Sequence, residues 1–247
     1  MIETHNIFAW RSCSFSVIQS SGSFGWRQIL VFRMRYGNGK GHVWEGSCEG
    51  SFLGSYNGDI PSSIVRSVEE MRELKQVHGA EIVLDGAYTG SSQQADGLIT
   101  RNKRCMLTIR TADCIPVFLI SPSQVSLIHA GWRSVKAGIL QKGLASFPLE
   151  ATCAILGPSI YAENYEVDRD LYETWDDPDL KHFLLPRLGT KCDFDLRGFA
   201  CQILMREGLR ADQIHRIPLC TYRDNLPSYR RNGKDAGRLV HYIYREV

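Results

Sequence analysis

Three apolar runs stand close together in the middle of the chain: MLTIRT (106–111), IPVFLI (115–120) and VSLIHA (125–130). Each is short, rich in branched or aromatic residues and bounded by turn formers, which predicts strands. SPSQ (121–124) lies between the last two and reads as a hairpin turn. Upstream, ILVFRMRYG (29–37) predicts a strand leading into the loop GNGKGH, and LKQVHG and EIVLDG are short strand-like pieces broken at Gly79 and Gly86. Downstream, TCAILG (152–157), IHRIPL and LVHYIYREV continue the strand pattern. Helical spacing occurs three times. After Ser62-Ser63 it puts Ile64, Val65, Val68 and Met71 on one face; in VKAGILQKGLASF it places apolar residues at 135, 139, 140 and 144. Over 196–207 it turns Leu196, Ala200, Ile203 and Leu204 inward behind an Asp195 cap, with Gly208 past the end.

This alternation predicts an α+β fold, a single domain of mixed β-sheets flanked by helices. Residues 1–27 are Ser-rich and weakly periodic, and read as an N-terminal extension or an extra strand ahead of a catalytic domain over 28–247. At 247 residues the chain can bury a sizeable core. A net charge of +2 gives no global electrostatic case for nucleic acid or a membrane surface as partner. No apolar run is long enough to span a bilayer and the first residues make a poor signal peptide, so the expected location is cytoplasmic. Eight Cys without a CxxC pair fit buried thiols in a reducing compartment better than a disulfide framework. Nothing in the sequence sets an oligomeric state.

The hairpin carries the candidate chemistry. If Ile120 opposes Val125, then Pro116 faces His129, and Cys114 falls on the same face, diagonal to His129 at about 7–8 Å. From that spacing the two side chains can share one small ion or exchange one proton. A register slip of one residue would separate them. The plainer alternative is a packed Cys and a polar rim His. GWRS follows His129, with amides from Trp132 onward opening a helix and Arg133 able to fork onto phosphate or carboxylate.

QVHG (76–79), ADGLIT (95–100), TADCIPVFLI (111–120), HAGWRS (129–134), GPSI with YEV (157–167) and CT…SYRR…GR (220–238) occur in that order. Together they resemble the YfiH family, long labelled multicopper polyphenol oxidase (laccase) and also described as purine nucleoside phosphorylases with adenosine deaminase activity. The resemblance covers roughly residues 29–247 and implies a layered sandwich like that of cytotoxic necrotizing factor. It further implies a zinc site formed by His78, Cys114 and His129, which would also be the catalytic residues, with copper as the competing metal. The implied partners are a purine nucleoside (adenosine, inosine, with methylthioadenosine a further candidate) and phosphate. On that reading Arg133, Arg230 and Arg231 would bind substrate, while Asp113 and Gln76 would support the ligands. Three N/S donors with a vacant fourth position describe a catalytic zinc.

The same three residues also fit a Cys–His amide hydrolase acting on a cell-wall precursor, with Cys114 as nucleophile and His129 as its base. A full multicopper oxidase is poorly served, because the seven His form no HxH pair. The chain departs from the family pattern in its degraded Gly-rich segment (YGNGKGH…SFLGSYNG), in YAENYEV, and in Leu226-Pro227 before SYRR. These departures fall at the expected substrate rim, not among the ligands.

Overall fold

The computed structural model describes residues 12–19, 29–35, 41–48, 50–187 and 189–246. Along the chain run β1 (Ser12–Gln19), β2 (Ile29–Arg35), β3 (Gly41–Cys48), β4 (Ser51–Asn57), α1 (Ser62–Val65), β5 (Glu70–Arg72), β6 (Ile82–Leu84), β7 (Gly97–Thr100) and β8 (Cys105–Thr111). Then follow β9 (Ile115–Ile120), β10 (Val125–Ala130), α2 (Trp132–Lys136), α3 (Ile139–Leu144), β11 (Cys153–Leu156), β12 (Glu166–Asp168), α4 (Asp170–Glu173) and β13 (Leu184–Pro186). The last elements are β14 (Lys191–Phe194), α5 (Leu196–Arg206), β15 (Ile214–Arg216), α6 (Tyr229–Asn232) and β16 (Leu239–Arg245).

A seven-stranded sheet runs β1-β2-β3-β4-β16-β8-β5, a six-stranded sheet runs β15-β11-β9-β10-β7-β6, and β12-β14-β13 form a small third sheet. The mixed α+β architecture matches the expected fold class. Both faces of the six-stranded sheet are covered, which is why its central strands read as unbroken apolar runs. From β9, Val117 and Leu119 point into a core shared with α3 and α5, while Phe118 and Ile120 point into the layer between the large sheets. From β10, Ile128 joins the helix side and Leu127 the inter-sheet side. The inter-sheet layer also holds a buried polar line: Trp44 Nε1 donates to Ser55 Oγ at 2.7 Å, and His241 bridges Ser55 Oγ at 2.6 Å to Thr111 Oγ1 at 2.8 Å.

Two helix expectations fail for identifiable reasons. The helix begun at Ser62 stops after one turn, and residues 70–72 extend as an edge strand parallel to β8. Only the extended form lets buried Arg72 fork onto Glu70 (2.7 and 2.9 Å), reach Asp85 (2.7 Å) and stack on Tyr88. The helical stripe offered little in return, since Val65 and Met71 remain 38% and 48% exposed. Here tertiary contacts override local propensity. The expected helix from Val135 divides into α2 and α3 at Gly138, whose φ of 84° breaks the ladder. Asp195 caps α5 as expected, accepting from the Gly198 amide at 2.8 Å. Most of residues 1–27, and the loop GNGKGH up to residue 40, lie outside the described residues; β1 within them pairs antiparallel with β2.

Candidate metal centre

The hairpin has the expected register: Ile120 pairs with Val125 and Pro116 with His129. Cys114 and His129 therefore share the inter-sheet face at one end of the sheet. His78 joins them from the loop after β5, and the donor atoms of all three lie within 4.8 Å of one another. The His78 and His129 rings meet edge to face, with centroids 4.7 Å apart. His129 is buried, Cys114 half-buried and His78 exposed, so the cluster has a closed back and an open front.

What assembles it is Asp96 of ADGLIT, a residue with no exposed surface to which the sequence pattern assigns no role. Its carboxylate accepts from the amides of Val77 (3.2 Å), His78 (3.0 Å) and Gly79 (2.6 Å), and from His129 Nδ1 (2.8 Å). The first three bonds hold His78 at a φ of 59°, a left-handed conformation uncommon for a residue with a side chain. The fourth fixes the imidazole: an ionised carboxylate only accepts, so His129 keeps a proton on Nδ1 and aims Nε2 at the cluster. Burial pushes the Asp96 pKa up, but the bond from His129 and those from the Gly79 and His78 amides prevail and hold it below the ordinary carboxylate value.

Gly131 covers the cluster. A Cβ there would stand 3.0 Å from Cys114 Sγ and 3.2 Å from His78 Cδ2, so the backbone seals the donors only because it lacks a side chain. In the metal-free cluster burial raises the Cys114 pKa, yet hydrogen bonds with His129 and His78 bring it down to about 6. Burial lowers the His129 pKa, but Asp96 and Cys114 carry it up to about 9. Without metal the group is thus a thiolate beside a protonated His129; once that proton leaves, the N/N/S donor set, with His129 already oriented by a carboxylate, fits a metal ion of zinc or copper type.

The remaining candidates divide. Asp113 does not support His129. It sits at a φ of 92° and accepts from Thr221 Oγ1 (2.6 Å) and the Arg230 amide (2.6 Å), tying the 220–231 segment to the residue before Cys114. Gln76 does not reach the ligands either; its amide exchanges two 2.8 Å bonds with the Arg110 backbone and anchors the loop that carries His78. Arg231 donates to the carbonyls of Thr221, Tyr222 and Leu226 and to Asn232 Oδ1, so these bonds all run within the 221–232 segment. Arg230 donates to the Glu166 carbonyl at 2.7 Å and lines a groove beside the cluster. Arg133 lies over the Trp132 ring at 4.4 Å and has no ion pair or hydrogen bond among the described residues. The helix behind it, α2, has five residues and adds little macrodipole.

Fold and site together define a class: an α+β protein that mounts one half-open His/Cys/His centre between two sheets. Its residues 59–246 match the family described as multi-copper polyphenol oxidoreductase laccase. The chain belongs to that family, the YfiH family, and its relatives carry a different name. The purine nucleoside phosphorylase of Xylella fastidiosa (strain Temecula1) is 32% identical over 188 residues, covering 68% of this chain and 69% of its own. Purine nucleoside phosphorylase YfiH of Escherichia coli K12 is 30% identical over 213 residues, covering 78% and 85%. Among solved structures, Neisseria meningitidis protein NMB0706 superposes with a TM-score of 0.69 at 26% identity, covering 88% of this chain and 95% of its own.

Proposed function

We propose that the protein is a purine nucleoside phosphorylase acting on adenosine and inosine, with methylthioadenosine as a further substrate and adenosine deamination as a side activity. The observation that carries the reading is the half-open His78/Cys114/His129 cluster beside a groove with aromatic walls, in a chain whose relatives bear that enzyme's name. Zinc held by these three donors would supply Lewis-acid polarisation of an oxygen brought to it, chemistry that serves both activities. In phosphorolysis a phosphate oxygen forms a bond to the ribose anomeric carbon as the bond to the base nitrogen breaks. The electron pair leaves with the base, and the proton of hydrogen phosphate ends on it. Arg133, which makes no ion pair among the described residues, would meet the phosphate; Asp96 keeps His129 and His78 in place throughout.

The test is base release from adenosine and inosine, followed by chromatography with and without phosphate, for wild type and Cys114→Ala. Phosphate-dependent release that the variant loses supports the reading; release that ignores phosphate refutes it.

A second reading rests on the hydrogen-bonded Cys114 and His129 of the metal-free cluster. In a Cys–His amide hydrolase for cell-wall precursors, the Cys114 thiolate attacks the carbonyl carbon and the His129 imidazolium protonates the leaving amine. Metal would then inhibit, so activity that rises on chelation singles this reading out.

A further inference from the structure

The groove beside the cluster has a volume of about 370 Å³ and is lined by Trp132, Tyr165, Asp170, Leu171, Thr174 and Arg230, among others. None of the three donors lines it; it is tied to them through neighbours, Trp132 following Gly131, which covers Cys114, and the Arg230 amide sitting on Asp113, the residue before Cys114. A volume of this order suits a small heterocyclic ligand.

One wall is built with unusual care. The Tyr165 ring lies parallel to Phe194, with centroids 6.0 Å apart and planes 15° from parallel, and the Arg230 guanidinium lies 5.2 Å from the Tyr165 ring. Its backbone is fixed on both sides, its amide donating to Ala162 at 2.8 Å and its carbonyl accepting from Phe194 at 3.0 Å. The phenol hydroxyl, by contrast, has no hydrogen-bond partner among the described residues. Tyr88, by comparison, donates to the Glu73 carbonyl at 3.2 Å. A rigidly held donor that faces a groove and makes no bond inside the chain is free to meet an acceptor on a ligand. Burial, reinforced by the charge of Cys114, raises the Tyr165 pKa, so the group is a neutral phenol that donates.

We infer that this groove is the nucleoside site and that the Tyr165 hydroxyl donates a hydrogen bond to the purine of the bound nucleoside, with Trp132 offering a second aromatic wall. The role rests on the phosphorylase reading for its chemistry, because a donor on a ring nitrogen or carbonyl strengthens as the base departs with its electron pair. It rests on the groove alone for binding.

Tyr165→Phe tests it, since the stack on Phe194 and the contact with Arg230 survive. Inosine binding is followed by tryptophan fluorescence in phosphate-free buffer, base release is measured alongside, and thermal unfolding and metal content are recorded for both proteins. The expected result is a loss of about tenfold in inosine affinity or in kcat, with unfolding temperature and metal content unchanged because the hydroxyl has no internal partner to lose. Unchanged affinity and kcat would overturn the inference, as would a clear drop in unfolding temperature, which would reveal an internal partner. If inosine binds in a phenol-dependent way but no base is released, the site stands and the phosphorylase reading falls. If inosine fails to bind the wild type, both fall.

Discussion

Replacing Asp96 by Asn removes one charge and no volume, and the geometry sets what should follow. The carboxylate accepts four hydrogen bonds with no exposed surface, three from consecutive backbone amides and one from His129 Nδ1. An Asn side chain keeps one acceptor oxygen and turns an NH2 toward donors on the other side. On either flip, at least one amide or the imidazole N–H then faces another donor. Bonds to a charged acceptor contribute about 1.5–3 kcal/mol each, and a buried donor left unpaired costs about 1–3 kcal/mol. Losing two of the four gives a destabilisation of about 3–5 kcal/mol, or roughly 10 °C in unfolding temperature for a domain of this size. The metal consequence is separate. Loss of the group that orients a ligand His weakens metal binding by about 10–100-fold, and His78 loses the clamp on its left-handed backbone in the same stroke. The assay is thermal unfolding of metal-stripped protein, then zinc competition against a chromophoric chelator. Asp113→Asn is the control: it touches Thr221 and the Arg230 amide and no imidazole, so its zinc affinity should stay within about threefold of wild type, well inside the effect of a lost orienting group. An Asp96→Asn protein that binds zinc like wild type, or an Asp113→Asn protein that loses zinc equally, would refute this assignment.

Gly131→Ala should fold normally, since its φ of −79° suits any residue, yet lose metal, because the added Cβ presses on Cys114 Sγ and His78 Cδ2; zinc content after dialysis checks this. Arg231→Ala should lower stability by about 2–4 kcal/mol through orphaned carbonyls, whereas Arg133→Ala should leave unfolding unchanged and raise the KM for phosphate; denaturant melts and phosphate titrations separate them. Acid should destabilise the fold through His241, whose pKa burial lowers from 6.5 to about 3. The unfolded chain protonates this His below its own pKa while the folded one resists, so stability is intact above about pH 6.5 and falls towards pH 3, by about 2–3 kcal/mol at pH 4.5. Denaturant unfolding of wild type and His241→Gln over pH 7.5–4.5 should show the shallower slope in the variant. Cys114 and His129 should not mask it at neutral pH, because folding moves a proton from thiol to imidazole without changing the number bound.

What could be read from the sequence was whatever depends on neighbours along the chain. The β9–β10 register follows from a four-residue turn between two apolar runs, and it alone brings Cys114 near His129. The Asp195 cap follows from a side chain and an amide three residues apart. The misses all depend on distant partners. Asp96 looks like one polar residue before a strand, and only the approach of the 77–79 loop from another part of the chain gives its carboxylate a task. Arg231 looks as free as Arg133, yet the turn of residues 221–226 folds its carbonyls around the guanidinium. The helix expected at 62–74 fails because Asp85 and the β8 edge outbid a stripe that never becomes buried. The signal for Asp96 lies in ADGLIT: an acidic residue directly ahead of a buried strand, in a chain that also carries a His-bearing turn with amides to satisfy at 77–79.

The donor set also bears on the two descriptions attached to the family. Multicopper oxidation needs a multinuclear cluster besides a His/Cys site, and such clusters are built from many imidazoles. Among the described residues one group of three donors can hold an ion. His241 is closed off between Ser55 and Thr111, and His182 and His215 belong to no such group. Among the described residues, oxidase chemistry would have to run through one ion bound by His78, Cys114 and His129, with a thiolate as one of three ligands and open to solvent. Phosphorolysis asks less of that ion and more of its surroundings: a polarised oxygen, the Arg133 guanidinium, which makes no ion pair among the described residues, and a groove wall that carries a phenol donor. Copper can outcompete zinc at an N/N/S site in the divalent affinity order, so the metal found after purification would not separate the two descriptions. Phosphate dependence of the product would.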